Sequence, residues 1–205
     1  MKNHRAHTCS AFVLAALFTA GPMLAEDKAT PEKIDSAKMA EMMKKVEAAG
    51  APGAAHKALE PLVGEWTAEV KSWMSPDAPP TVSKGTAKAQ WAMNGRFVRK
   101  EFNGEMMGKP FQGMSLTGYD NQKKQYNSLW VDDMSTAIFT SQGTAADGGK
   151  VITFNSKMDC PMTGEKDMPV KQVLRIISPD KHVFEMHDPR KGDKSKTMEI
   201  TYTRK

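Results

Sequence analysis

The side chains able to do chemistry are few, and their spacing limits what they can do together. Cys160 sits between Met158 and Met162 in Met158-Asp159-Cys160-Pro161-Met162, with Met168 a little further on. A thiolate among thioethers is a soft donor set suited to monovalent copper, so these positions form a candidate soft-metal or thiol-redox site. Methionine also fills irregular cores and makes adaptable apolar surfaces. The chain has 16 methionines, several at alternating or helical spacing, which fits core and cavity lining first. Asp132 and Asp133 are adjacent, so on a strand they face opposite ways and do not make an acid/base pair. Asp132 shares parity with Trp130 and Tyr126 and is a candidate polar group at a cavity mouth. His182 and His187, five apart, also fall on opposite faces and do not make a metal pair. Arg99 and Glu101 share a face, which either gives the interior a charged handle or meets solvent.

No Gly-x-Ser-x-Gly elbow, phosphate-cradling glycine loop, His-Glu-x-x-His or Cys-x-x-Cys occurs in the sequence. The residues therefore nominate no reaction and no cofactor, and an enzyme is not the reading we favour.

The elements that must position these residues are strands. From Glu65 onward, ten candidates fall at about 66–74, 82–93, 96–106, 111–119, 125–132, 136–142, 150–157, 169–178, 181–187 and 196–204. Turn-forming residues separate them: Asn94-Gly95, Asp120 to Lys124, Gly148-Gly149 and Ser178-Pro179-Asp180 are examples. Strands at this spacing with no helix between them predict an antiparallel sandwich or barrel. Several strands carry polar residues on both faces, which fits a barrel with a partly polar, hydrated interior, and closure also removes exposed edges. Trp91, Phe102, Tyr119, Trp130, Phe154 and Tyr202 either line a pocket in that barrel or simply fill it.

The N-terminal part differs in composition. Residues 1–25 read as a secretory signal peptide: Lys2, His4 and Arg5 precede the apolar run Ala11 to Ala20, and Gly21-Pro22 breaks it. That run is too short for a resident membrane helix, so the expectation is an exported, periplasmic or secreted protein with no integral membrane segment after cleavage. Removing the leader takes Lys2, Arg5 and Cys9 with it. The net charge falls from +5 to about +3, too mild and too scattered for a nucleic-acid footprint. Cys160, then alone, has no partner for an intramolecular disulfide. Residues 26–58 read as a helical extension. Thr30, Pro31 and Glu32 resemble a helix start, Ile34, Met39, Met42, Met43 and Val46 make one apolar stripe, and Gly50-Ala51-Pro52-Gly53 stops it. A second helical turn, His56 to Leu62, leads into the barrel domain expected over 59–205.

Gly64-Glu65-Trp66, opening the first strand, resembles the Gly-x-Trp signature of the lipocalin and fatty-acid-binding-protein superfamily. In those barrels the Trp packs across the closed end against an Arg from the last strand, and Arg204 is placed to match it. More specifically, the chain resembles the bacterial domain-of-unknown-function family 1579 over about residues 59–205. The residues that carry this are Leu62-Val63-Gly64-Glu65-Trp66, Trp91 to Phe97, Phe111-Gln112-Gly113, Gly118-Tyr119-Asp120 and Trp130 to Thr136. The resemblance implies a lipocalin-like barrel and no assigned activity.

Together these expectations describe an all-β, ten-stranded lipocalin-like barrel with a short helical extension, which binds or carries a small apolar molecule. Trp91, Phe102, Tyr119, Trp130 and Phe154 are the candidate lining, with Arg99 and Asp132 as polar anchors. Two alternatives stay open: the soft-metal or redox role at Met158, Cys160 and Met162, and a protein-interaction role for the methionine-rich helix.

Overall fold

The computed structural model describes residues 35–75 and 77–205. The leader over 1–25 and the helix start at Thr30 to Glu32 lie outside the described residues. Within them the chain runs through a helix α1 (Ser36–Gly50), a single helical turn α2 (Ala54–Lys57), a 3-10 turn (Glu60–Leu62) and ten strands. The strands are β1 (Gly64–Ser72), β2 (Thr81–Ala92), β3 (Phe97–Met106), β4 (Lys109–Asp120), β5 (Gln125–Asp132), β6 (Phe139–Ala146), β7 (Val151–Met158), β8 (Met168–Ser178), β9 (Lys181–His187) and β10 (Lys196–Arg204). Each pairs antiparallel with its neighbour in sequence, and β1 pairs with β10, so the sheet closes into a barrel. Closure leaves no ladder edge for another chain to extend.

Turn chemistry sets the strand ends. Met93, Asn94 and Gly95 all take positive φ between β2 and β3, the conformation Asn and Gly tolerate best. The β4–β5 turn is held by Asp120, whose Oδ1 accepts the N–H groups of Gln122 (2.8 Å) and Lys123 (2.9 Å). These bonds hold the Asp120 carboxyl below its ordinary range. β6 lies several residues later than the sequence suggests, over Phe139–Ala146 rather than 136–142. Its second half is poor in strand-forming residues, yet Ala145 and Ala146 pair with Ile152 and Val151. Tertiary pairing overrides weak local preference.

Alternation divides each strand into an inward and an outward row. Trp66, Ala87, Phe102 and Gly113 occupy one inward row through successive register pairs. The interior has two apolar clusters. One, around Leu59, Leu62, Val98, Tyr126, Ile152 and Phe154, lies where the helical turns meet the barrel. The other, around Trp66, Phe102, Phe111 and Tyr202, fills part of the remaining interior.

Candidate functional site: the barrel interior

One end of the barrel is sealed by a set of residues from both chain-terminal strands. Trp66 has no exposed surface, and its indole N–H donates to the Leu62 carbonyl at 3.0 Å. The Arg204 guanidinium lies 4.2 Å from the Trp66 ring centroid. It donates to the carbonyls of Val63 (3.0 Å), Pro61 (3.3 Å) and Pro179 (2.7 Å). A planar, permanently charged fork can stack and bond several carbonyls at once, which lysine cannot. Gly64 is required here on two counts: its φ is +137°, and an added Cβ would lie 2.2 Å from Arg204 Nη1. Gly64, Trp66 and Arg204 thus meet at this end of the barrel.

The candidate lining residues separate into two groups. Trp91, Tyr119 and Phe154 belong to the sealed half. Trp91 and Tyr119 pack against the cluster beneath the helical turns, of which Phe154 is a member. Trp91 donates its indole N–H to Glu60 Oε2 at 2.7 Å. Tyr119 meets Tyr126 edge-on at 4.9 Å, and Tyr126 donates to the Ala55 carbonyl. Phe102 and Trp130 belong to the other half. Trp130 lies over Gly113, where a Cβ would approach its ring to 2.1 Å. Its indole N–H donates to Asp132 Oδ2 at 2.8 Å, and Asp132 Oδ1 also accepts the Met134 N–H. Asp132 therefore fixes Trp130 and the loop after β5.

Arg99 is on the outer face, 3.0 Å from Glu101, with both side chains largely exposed. The reason is parity: Val98 and Phe102 are buried inward, so the odd positions of β3 turn out. The inward cation of β3 is Lys100. Sequence reasoning passed over it, although the alternation Val98, Lys100, Phe102 carried the signal. Lys100 Nζ donates to the Tyr202 hydroxyl at 3.2 Å and stands 4.5 Å from the Tyr202 ring centroid. Tyr202 stacks on His182 at 4.4 Å, and His182 meets Trp66 edge-on at 4.3 Å. Burial, with the Lys100 and Arg204 charges adding to it, pushes the His182 pKa down to about 3. This imidazole is neutral, and among the described residues its Nδ1 has no hydrogen-bond partner. His187 lies on the outward row instead, bonded to Ser195 Oγ at 3.0 Å.

A polar band crosses the inward rows at the level of Lys100. Register places Ser115 beside Lys100, and joins Thr117, Ser128, Ser141 and Ser156 in one row. Thr117 and Ser128 are 2.8 Å apart through their hydroxyls. Beyond this band, towards the end opposite Arg204, the inward positions include Met106, Met158, Met168, Met186 and Met198, all half-buried. Met158 pairs with Met168, and Met186 with Met198. Solvent therefore reaches inward side chains at this end, in contrast to Trp66 at the other.

Met158 thus belongs to the inward row, whereas Met162 is exposed in the loop after β7. Between them Cys160 is half-buried. Hydrogen bonds from Thr163, through its hydroxyl first and then its N–H, and from the Met162 N–H pull the Cys160 thiol below its usual pKa. No group of three or more His, Cys, Asp or Glu side chains suited to a metal ion occurs among the described residues.

Outside the barrel, a groove of about 400 Å³ crosses β3 to β5 between Glu101, Asn103, Gln112, Met114, Val131 and Asp133. Those side chains belong to outward rows, and Phe102, Gly113 and Asp132 of the inward rows complete the lining. Helix α1 has no buried residue. Asn121 ties its end down, donating to the carbonyls of Ala49 (2.9 Å) and Ala51 (2.8 Å). No described helix is long and apolar enough to cross a membrane.

Comparison with one solved structure supports the architecture. Rv2717c from M. tuberculosis superposes with a TM-score of 0.52 at 15% identity, covering 76% of this chain and 99% of that one. A redesigned β-barrel matches at a TM-score of 0.38 and 14% identity, over 74% and 96% of the two chains. No curated relative matches the chain. Residues 51–204 match the family described as a protein of unknown function, DUF1579, and the chain belongs to that family.

Proposed function

We propose that this barrel binds a small, largely apolar molecule through the end opposite Trp66 and Arg204. The observation that carries the reading is the contrast between the two ends. One is sealed by a fully buried indole, while the other presents half-buried methionines and Trp130 on inward rows. A concave apolar surface with a few placed polar groups is the usual composition of a small-molecule site. Unbranched, polarizable methionines suit a mouth that adapts to its occupant. The reading is binding or carriage of that molecule. Export through the leader at residues 1–25 belongs to the same reading.

The test is titration of the purified protein with a neutral, environment-sensitive naphthylamine dye. Saturable binding at one site per chain, accompanied by quenching of Trp130 fluorescence and lost in a variant with Ser115→Phe, is expected. Only weak, unsaturable dye binding to the folded protein contradicts the reading.

A second reading has an observation of its own. Met39, Met42, Met43 and Val46 make an apolar stripe on α1 that the barrel leaves exposed, as a helix that docks on another protein would.

A further inference from the structure

The rim around the open end carries apolar side chains that point to a contact of its own. Five connections ring that end: β1–β2, β3–β4, β5–β6, β7–β8 and β9–β10. Four of them hold large apolar residues, each more than half exposed: Met74, Met107, Met134, Ile138 and Met162. At the sealed end, Met93 alone among the described turn residues is comparable. Apolar groups gathered at one end of a domain mark a contact surface. The rim is also held in shape. Arg190 of β9–β10 bonds Asp188 and reaches Glu165 of β7–β8, and Asp159 Oδ1 accepts the Asp167 N–H at 3.0 Å.

We infer that two copies of this chain dock mouth to mouth through these loops. Charge and area both select a second copy as the occupant. The adjacent β5–β6 and β7–β8 connections carry Asp133, Asp159, Glu165 and Asp167 against Lys166. On the other side of the ring Lys109 opens β4, and β9–β10 adds Arg190 and Lys191 beside the buried Asp188. A two-fold axis in the plane of the mouth lays the acidic side of one copy over the basic side of the other, and does so twice. An anionic lipid surface would meet the same carboxylates as like charges, so it fits less well. Ten tilted strands give a rim about 30 Å across with side chains, a footprint of about 700 Å² per copy. That is close to the roughly 800 Å² per partner of a standard stable interface. Helix α1, about 22 Å long and 10 Å wide, offers far less. The inference does not depend on a filled interior. Pairing encloses whatever the two interiors hold between two sealed ends, and exchange then takes place from the separated copies.

The experiment is sedimentation velocity of the purified protein over about 1 to 100 μM. The expected result is a shift from one chain mass to two as concentration rises. Met107→Asp together with Met134→Asp is expected to raise the dimer dissociation constant at least about tenfold. Thermal melting is expected to stay unchanged, because both side chains are exposed. Lys109→Glu and Asp133→Lys are each expected to weaken self-association alone. An equimolar mixture of those two variants is expected to recover it, since both junctions of the mixed pair then join opposite charges. A chain that stays monomeric over the whole range overturns the inference, and a monomer that floats with phosphatidylcholine vesicles assigns the rim to a lipid surface instead. A dimer untouched by the rim variants but lost on Met42→Asp with Met43→Asp overturns it too, and places the contact on α1.

Discussion

His182 shows how one buried side chain can make the barrel sensitive to acid. It is packed between Trp66 and Tyr202, faces the charges of Lys100 and Arg204, and has its pKa lowered from 6.5 to about 3. In the unfolded chain the same imidazole takes up its proton near 6.5, so the unfolded state binds more protons throughout the interval between the two values. Stability is therefore complete above about 6.5 and declines as pH falls towards 3. Denaturant unfolding at a series of pH values checks this. Between pH 6.5 and the onset of carboxylate titration, the unmodified protein is expected to lose stability, and a variant with His182→Asn is expected to lose markedly less. Equal slopes in the two proteins contradict the assignment. Gly64, Trp66 and Arg204 could be named beforehand from the Gly-x-Trp resemblance and from the place of Arg204 at the end of the last strand. Lys100 was not singled out, although strand parity alone separates it from Arg99. The neighbouring Arg99–Glu101 pair has the more conspicuous charges, and pairing to Ala89 and Ser115 agrees with the inward row that the alternation of Val98, Lys100 and Phe102 marks.

The secondary elements carry different loads. The ten strands hold one another through continuous ladders, whereas α1 contributes no buried side chain and is fastened at its end by the two Asn121 bonds. Such contacts on an exposed segment contribute little to global stability. Deleting residues 35–50 is accordingly expected to leave the unfolding free energy within about 1 kcal/mol of the full chain, with dye binding unchanged. A larger loss would show that α1 is integral to the barrel. The helix itself was visible as a periodic stripe, and within the described residues it begins at Ser36, with Asp35 Oδ1 accepting the N–H groups of Ala37 and Lys38. Strands with strong alternation, such as β1, β2 and β10, could be placed from sequence to within a few residues. β6 could not, because its Gly143 to Ala146 stretch owes its conformation to β7 and not to its own side chains. At the mouth, Arg190 of the β9–β10 connection pairs with Asp188 and with Glu165 of the β7–β8 loop. This pairing, which joins residues distant in sequence, carries no local signature.

On the scale of the whole molecule, the barrel is asymmetric along its axis. The helical turns, Trp66 and Arg204 close one end. A polar band centred on Lys100 crosses the middle, and methionines gather at the other end. The unusual methionine count is explained in part by this arrangement: five of them share the inward rows near one rim, a grouping that appears only once the strands are put in register. That same asymmetry leads to the central claim, that the interior is a ligand site reached from one side. The most direct measurement is native mass spectrometry of the protein purified from the cells that make it, with the denatured mass as the control. The account predicts a discrete adduct of a few hundred daltons that is lost on denaturation. A folded protein carrying only its polypeptide mass, which also takes up no added neutral dye, would contradict it.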